Sequence, residues 1–123
     1  PQIAENMIDV NHWYDPSSAS GQAMRTRTEA DGKYFTFEVY CAYMSIQFLV
    51  DGFERAGSTD NDAVNAALAS STLNVDFMPY GPTKMVNGQN MGSRAVAIQA
   101  QKGDVEVIAP ASYASASAIF PRS

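Results

Sequence analysis

The feature that most constrains the fold is an apolar block at residues 40–58, which reads YCAYMSIQFLVDGFERAGS. Its large apolar side chains fall on nearly every face of a helix, whereas a surface helix confines them to one stripe. We therefore expect a helix from about Thr36 to Ala56, with Gly57 as its C-cap and other protein covering most of its sides. The block is too short and too often interrupted by charge to predict a membrane span.

Composition limits the classes of protein to which the chain can belong. Its 123 residues, of which 46% are hydrophobic, are typical of one ordinary globular domain. The net charge of -5 gives no basic surface for phosphate backbones or anionic lipid, so we expect no nucleic-acid partner. Cys41 is the only cysteine, which excludes an intrachain disulfide, and its position inside the apolar block predicts a packed, inert thiol.

The segment before the block predicts a strand followed by a polar helix. Apolar and polar residues alternate over residues 7–13, which is the pattern of a half-buried strand. Ser17 or Ser18 suits the N-cap of the following helix, and Gly32 suits its left-handed end. The inward side of this helix is predicted to consist of three residues, Ala19, Ala23 and Met24.

The segment after the block predicts a third helix and two turns. The helix begins at Thr59, where residues 59–62 have capping-box spacing, and it carries one apolar stripe: Ala63, Val64, Ala67 and Leu68. Asn87-Gly88 predicts a tight turn, and Lys102-Gly103-Asp104 predicts the turn of a hairpin between two strands. We expect the small residues at 111–118 to form a loosely held tail.

The sequence offers no signal for catalysis, so we expect a protein that is not an enzyme and needs no cofactor. His12 is the only histidine and lacks a Cys or His partner at metal-ligand spacing, so no metal site is expected. No serine lies in a nucleophile elbow, and no glycine-rich phosphate loop occurs. Asp60 and Asp62 lack the glycine and distal Glu of a calcium loop, so helix capping explains them better.

A binding role has positive support in the sequence. Ligand clefts combine aromatic walls with a few polar groups, and this chain carries such residues around the apolar block: Trp13, Tyr14, Tyr34, Glu38, Tyr40 and Tyr43. Tyr and Trp also fill protein cores while directing a polar tip to water, and this second interpretation is the stronger one for Tyr43.

Several short motifs follow one another in a characteristic order. The chain carries Trp13-Tyr14-Asp15-Pro16, then Ala56-Gly57-Ser58, then Gly81-Pro82, then Asn87-Gly88-Gln89-Asn90, and then the hairpin. In this order it resembles, over almost its whole length, the carboxy-terminal part of type I periplasmic solute-binding proteins. The branched-chain amino-acid binding family is the nearest resemblance.

The resemblance implies an α/β fold whose two lobes close around a solute. This chain would be the C-terminal fragment of that fold, and it would consist of helices and a C-terminal β-hairpin. Residues 1–11 would form a strand of the second lobe, residues 12–92 the helical part of the first lobe with its Gly-Pro loop, and residues 93–123 the hairpin and tail that cross the hinge. No signal peptide is visible, and the resemblance places any export signal and most of the ligand pocket upstream.

The resemblance also implies a function and a set of site residues. The protein would be the periplasmic or extracytoplasmic solute-binding subunit of an ABC importer, with an amino acid or similar small polar solute as ligand and a membrane permease as partner. Glu38 falls where the family approaches the cleft and would orient the solute, while Tyr40 and Trp13 would line the cleft. A carboxylate at position 38 departs from the leucine-type pattern, because it needs a cation or a hydrogen-bond donor beside it.

Two further expectations stay open. A fragment would leave its long helix and strand edges uncovered, so we expect the chain to associate with the missing part of its parent or with itself. The alternative from another class is a free-standing α+β domain for protein interaction or regulation, whose aromatic residues contact a partner protein. A hydrolytic enzyme ranks last, because nucleophile, base and metal signals are all absent.

Overall fold

The computed structural model describes residues 4–120 and shows a mixed α/β fold with three helices and two small antiparallel sheets. The elements follow one another in the order β1 (Ile8–Asn11), α1 (Ala19–Ala30), α2 (Phe37–Ala56), α3 (Asn61–Ala69), β2 (Met85–Val86), β3 (Gln89–Asn90), β4 (Val96–Gln101) and β5 (Asp104–Ala109). β4 lies at the centre of a three-stranded sheet, between β1 and β5, and β2 pairs with β3. In the part of the chain that the structure describes, no helix has the length and apolar character needed to cross a membrane.

The helix α1 begins where the sequence predicts, but its buried side matches the prediction only in part. Ser18 is the N-cap, because its hydroxyl oxygen accepts a hydrogen bond from the Gly21 amide at 3.0 Å. Of the three residues predicted to face inward, Met24 is buried, whereas Ala19 and Ala23 are exposed, and Gly21 is buried as well. The ring of Tyr14 lies so close to Gly21 that a Cβ there would meet it. The helix therefore packs through a glycine, which its apolar residues alone do not reveal.

The helix α2 matches the predicted bounds and is covered by this chain on one side only. Its N-cap is Thr36, and it ends at Gly57, whose φ of +58° is the left-handed conformation that glycine adopts at no cost. Only Tyr40 and Gly52 of its twenty residues are buried. Gly52 gives α3 room to approach, because a Cβ at this position would lie 2.6 Å from Leu68 Cδ2. The prediction that other polypeptide covers the remaining sides of α2 stays a prediction.

The helix α3 begins one residue later than the capping-box pattern predicts. Asp60, not Thr59, is its N-cap, and the Asp60 carboxylate accepts hydrogen bonds from the amides of Asp62 and Ala63. A carboxylate caps better than a threonine hydroxyl because it also interacts with the positive end of the helix dipole. Val64 of the predicted apolar stripe is buried, and three of its members are half-buried: Ala63, Ala67 and Leu68.

Both predicted turns are present and have the expected backbone. Asn87 and Gly88 join β2 to β3 with φ values of 50° and 78°, and Lys102 and Gly103 join β4 to β5 with φ values of 55° and 83°. Positive φ at both central residues defines the type I′ turn, which matches the twist of a hairpin.

The central strand β4 buries two glutamines, which its alternating pattern does not predict. A register shift between Ala97 and Ile98 changes which side chains face inward, so Val96, Gln99 and Gln101 are all buried. Gln99 is fully buried, and its amide nitrogen donates to the carbonyl oxygens of Asn6 at 3.1 Å and Ile119 at 3.2 Å. These bonds offset the cost of burying a polar side chain.

The tail is bound to the sheet, so the prediction of a loosely held terminus is wrong for the residues described. The Ile119 amide donates to the side-chain oxygen of Gln99 at 2.9 Å, and the Gln101 side chain donates to the carbonyl of Ser117 at 2.9 Å. The Ser115 amide donates to the carbonyl of Val107 at 2.8 Å. Small residues in the tail allow this close approach, while the buried glutamines provide the hydrogen bonds.

The core lies between α1, α2 and strands β4 and β5, with contributions from the segments that follow β1 and α3. It consists of seven buried side chains, Trp13, Tyr14, Met24, Tyr40, Phe77, Val96 and Val107. Phe35 packs edge-on against both Trp13 and Tyr14, with ring centroids 5.5 Å and 5.3 Å apart. This edge-to-face geometry is the favoured arrangement for aromatic rings, so the aromatic residues before α2 stabilise the fold.

Candidate functional site

A cavity of about 380 Å³ lies between α2 and the segment that carries the β2–β3 hairpin. We call it the α2 cavity, and it is lined by His12, Tyr40, Cys41, Met44, Ser45, Phe48, Met78, Thr83, Met85, Gly88, Asn90 and Ser93. Its volume is within the range of sites that bind small organic molecules. The α2 side of the cavity is formed by one helical face, because residues 41, 44, 45 and 48 follow the spacing of a helix.

The walls of the α2 cavity combine apolar side chains with a few polar groups. Tyr40, Met44 and Phe48 contribute apolar surface from α2, and Met78 and Met85 contribute it from the opposite side. Methionine is flexible and polarisable, so these walls can adapt to ligands of different shape. Ser45, Thr83, Asn90 and Ser93 supply hydroxyl and amide groups in the lining, which can orient a ligand by hydrogen bonding.

Hydrogen bonds hold the wall opposite α2 in place. The Thr83 side chain is buried and lies 2.9 Å from the hydroxyl of Ser71, which also donates to Asp51 of α2 at 3.1 Å. The side-chain oxygen of Asn90 accepts from the amides of Lys84 at 2.9 Å and Gly92 at 3.0 Å. The cavity wall is therefore tied both to α2 and within itself.

Burial changes the acidity of two groups in the cavity wall. Burial, with a smaller effect from Cys41, raises the pKa of Tyr40 to about 12. Burial, with a smaller effect from the carboxylate of Glu38, raises the pKa of the Cys41 thiol. Desolvation disfavours the charged form of both groups, so a neutral phenol and a neutral thiol face the cavity at neutral pH.

The three predicted site residues occupy different environments. Tyr40 is 8% exposed, and it lines the α2 cavity while packing edge-on against Phe77 at 6.3 Å. Trp13 is 5% exposed and belongs to the core, from which it reaches a second, polar cleft beside Arg25. Tyr40 and Trp13 therefore share the core cluster but line different clefts.

Glu38 lies at the exposed start of α2 and is not among the residues that line the α2 cavity. A hydrogen bond from the Thr36 side chain lowers the pKa of the Glu38 carboxyl, which remains solvated. A carboxylate in the first turn of a helix also interacts favourably with the helix dipole. This position accommodates a charge without a ligand to compensate it.

The lining residues that the sequence did not single out are Met44, Ser45, Phe48, Met78, Thr83, Met85 and Ser93. Met44 and Phe48 lie one helical turn apart on α2, so their shared face could be read from spacing. Nothing local in the sequence indicates that Met78, Thr83 and Met85 come to the same face, because tertiary packing brings them there.

Two side chains in the lining of the α2 cavity, His12 and Cys41, are of types that serve as metal ligands or nucleophiles. Among residues 4–120, no group of three or more His, Cys, Asp or Glu side chains is placed to hold a metal ion. The thiolate is the reactive form of cysteine, and the raised pKa keeps Cys41 protonated at neutral pH.

The face of α2 that points away from the cavity is also apolar. Val39, Ala42, Tyr43, Ile46, Leu49, Val50 and Phe53 fall within a sector of about 120° at 100° per residue. Six of them are exposed, namely Ala42 and five large side chains: Tyr43, Ile46 at 59%, Leu49, Val50 at 43% and Phe53. We call this the outer face of α2, and it is a contiguous apolar surface of the kind that marks an interaction site.

No protein-family model matches the chain, and no curated protein matches it significantly.

Proposed function

We propose that the protein is the solute-binding subunit of an ABC importer and that it works outside the cytoplasm, in the periplasm or its equivalent. In this function it binds an amino acid or a similar small polar solute and delivers it to a membrane permease. Binding closes two lobes, because only the closed state contacts the solute from both sides. The chain would be the C-terminal part of the type I binding-protein fold.

The observation that carries this proposal is the α2 cavity. Solute sites are concave, largely apolar and carry a few polar groups that fix orientation, and the α2 cavity has these properties in a volume of about 380 Å³. The order of elements, helices followed by a C-terminal hairpin, agrees with the resemblance in the sequence. The outer face of α2 then packs against the rest of the same binding protein.

The residues have distinct roles in this proposal. Tyr40 forms a wall of the α2 cavity and presents a neutral phenol to the solute. Trp13 supports that wall from the core, where it lies in the same cluster as Tyr40. Glu38, which is exposed beside the start of α2, orients a cationic or amide group of the solute when the lobes close.

Isothermal titration of the full-length parent protein with neutral amino acids, their amides and small organic acids tests the proposal, because the resemblance places most of the ligand pocket upstream of this chain. We expect at least one of these solutes to bind, and we expect Tyr40→Ala to weaken its binding about tenfold, which corresponds to about 1.4 kcal/mol of lost contact. Tyr34→Ala is the matched control, because Tyr34 is 90% exposed and is not in the cavity lining. Absence of binding across the panel, or equal loss in both variants, would refute the proposal.

The outer face of α2 favours a second candidate function. A free-standing α+β domain for protein interaction would bury this face against a partner protein, and its five exposed large apolar side chains supply the material for such an interface. In this function the partner is a different protein and solute binding is absent, so the titration separates the two candidates.

A further inference from the structure

The charges of this acidic protein are unevenly distributed along the chain. Residues 77–103 contain three of its eight Lys and Arg and none of its thirteen Asp and Glu. The segment includes the β2–β3 hairpin, which begins at Met85 and ends at Asn90. A cationic region in a protein of net charge -5 attracts anions that the rest of the surface repels.

Two of these cations line a groove of about 440 Å³ beside the hairpin. We call it the hairpin groove, and it is lined by Tyr80, Pro82, Thr83, Lys84, Met91, Gly92 and Arg94. No carboxylate is among these residues. The residues that line the hairpin groove differ from those that line the α2 cavity, except for Thr83, which lines both.

The floor of the hairpin groove has a fixed shape. Gly92 lies so close to the preceding loop that a Cβ there would lie 2.6 Å from the Pro82 carbonyl oxygen. The Asn90 side chain accepts hydrogen bonds from the Lys84 and Gly92 amides, which joins the two sides of the groove. The Tyr80 hydroxyl donates to the Ala95 carbonyl at 2.8 Å, so the Tyr80 ring is held as a wall.

Lys84 and Arg94 have no charge partner among the residues that the structure describes. Both are exposed, and neither takes part in an ion pair there, whereas Arg25 pairs with Glu29 at 2.8 Å and with Asp104 at 2.6 Å. Burial and, to a smaller extent, Tyr113 raise the pKa of the Tyr80 phenol, while the charge of Arg94 acts in the opposite direction. Two uncompensated cations therefore lie at one groove with a rigid floor.

We propose that the hairpin groove binds an oxyanion group, either a carboxylate or a phosphate, carried by a small molecule. The planar guanidinium of Arg94 matches the two oxygens of such a group and can donate two parallel hydrogen bonds. Lys84 adds a second positive charge on a flexible stem, and Tyr80 and Met91 contact the apolar part of the molecule. The proposal is independent of solute transport, because it rests on a different set of residues.

Titration with inorganic phosphate and, separately, with succinate tests this site, with chloride at the same ionic strength as the reference. We expect one of the two anions to shift backbone amide resonances within residues 80–94, and the stronger binder identifies the oxyanion. Loss of one charge-assisted hydrogen-bonding group in Arg94→Ala should weaken binding about tenfold or more. Arg94→Lys keeps the charge without the planar fork and should retain part of the affinity.

Lys33→Ala is the matched control, because Lys33 is an exposed cation between α1 and α2 and its loss changes the net charge by the same amount. It should leave anion binding unchanged. Equal weakening in Lys33→Ala and Arg94→Ala would show unspecific attraction and overturn the proposal. Shifts spread over the whole surface, or no shift with either anion, would also overturn it.

Discussion

At the scale of single residues, chemistry predicted from the sequence depends on where the fold places the side chain. Tyr40 was predicted as a cleft residue and lies in the wall of the α2 cavity. Trp13 is part of the core, and Glu38 is solvated at the start of α2. Gln99 and Gln101 of β4 are a second example. As polar residues they would be assigned to the surface from the sequence, but they are buried and hold the tail in place by hydrogen bonds.

Tyr40 gives a pH-dependent prediction. Its pKa of about 12 in the folded protein lies above the ordinary value of 10.0, so below pH 10 the phenol is neutral in both states. As pH rises from 10 to 12, the unfolded state loses this proton first, and the free energy of unfolding falls by about 2 kcal/mol. Tyr40→Phe keeps the ring and should remove this part of the stability that is lost at alkaline pH, as measured by urea unfolding at successive pH values.

The control for this prediction is Tyr34→Phe, which changes an exposed phenol and should leave the alkaline loss as it is in the unaltered protein. Cys41 and Tyr80 also have raised pKa values, so their contribution to the loss of stability at alkaline pH remains in every variant. An alkaline loss of the same size in Tyr40→Phe and the unaltered protein would contradict the assigned cause.

At the scale of elements, local sequence rules predicted the helices and turns closely because their causes are local. Gly57 ends α2 because glycine adopts a left-handed backbone freely, and Asn87-Gly88 forms its turn for the same reason. The start of α3 differs by one residue, since two adjacent residues could each cap the helix and the carboxylate of Asp60 does so.

The cap of α3 can be tested by mutation of those two residues. Asp60→Ala removes the acceptor for the amides of Asp62 and Ala63, and it should lower the free energy of unfolding by about 1 kcal/mol. Thr59→Ala should change it by less than about 0.5 kcal/mol, because Thr59 is exposed. Urea unfolding at neutral pH measures both, and a larger effect at Thr59 would contradict the assignment of the cap.

At the scale of the whole molecule, the main feature is that α2 presents apolar side chains on two opposite faces. One face lines the α2 cavity, and the outer face is exposed. Apolar surface of this extent favours association with other protein, which both proposed functions require. They differ in the partner, which is the rest of the same binding protein in one case and another protein in the other.

The outer face predicts how the protein behaves in solution. Replacing Ile46 and Val50 with Gln should change the free energy of unfolding by no more than about 0.5 kcal/mol at each position, since both side chains are exposed. The same variant should associate less than the unaltered protein, as measured by sedimentation at several concentrations. Met24→Gln is the buried control and should be strongly destabilised, by roughly 2 kcal/mol or more.

A large loss of stability in the Ile46 and Val50 variant would show that this chain covers the outer face itself. Unchanged sedimentation, with the unaltered protein a monomer at every concentration, would show that the outer face does not drive self-association. In that case the predicted partner has to be a different polypeptide.

The sequence by itself determined where α2 begins and ends, where the hairpins turn and that the surface is acidic, because caps, turn residues and charge act over a few neighbouring positions. Only the tertiary structure decided which side chains meet. The α2 cavity joins residues from position 12 to position 93, and the tail is held by glutamines about twenty positions earlier. Such contacts depend on how separate elements pack and on a register shift in β4, and neither is encoded in a local pattern.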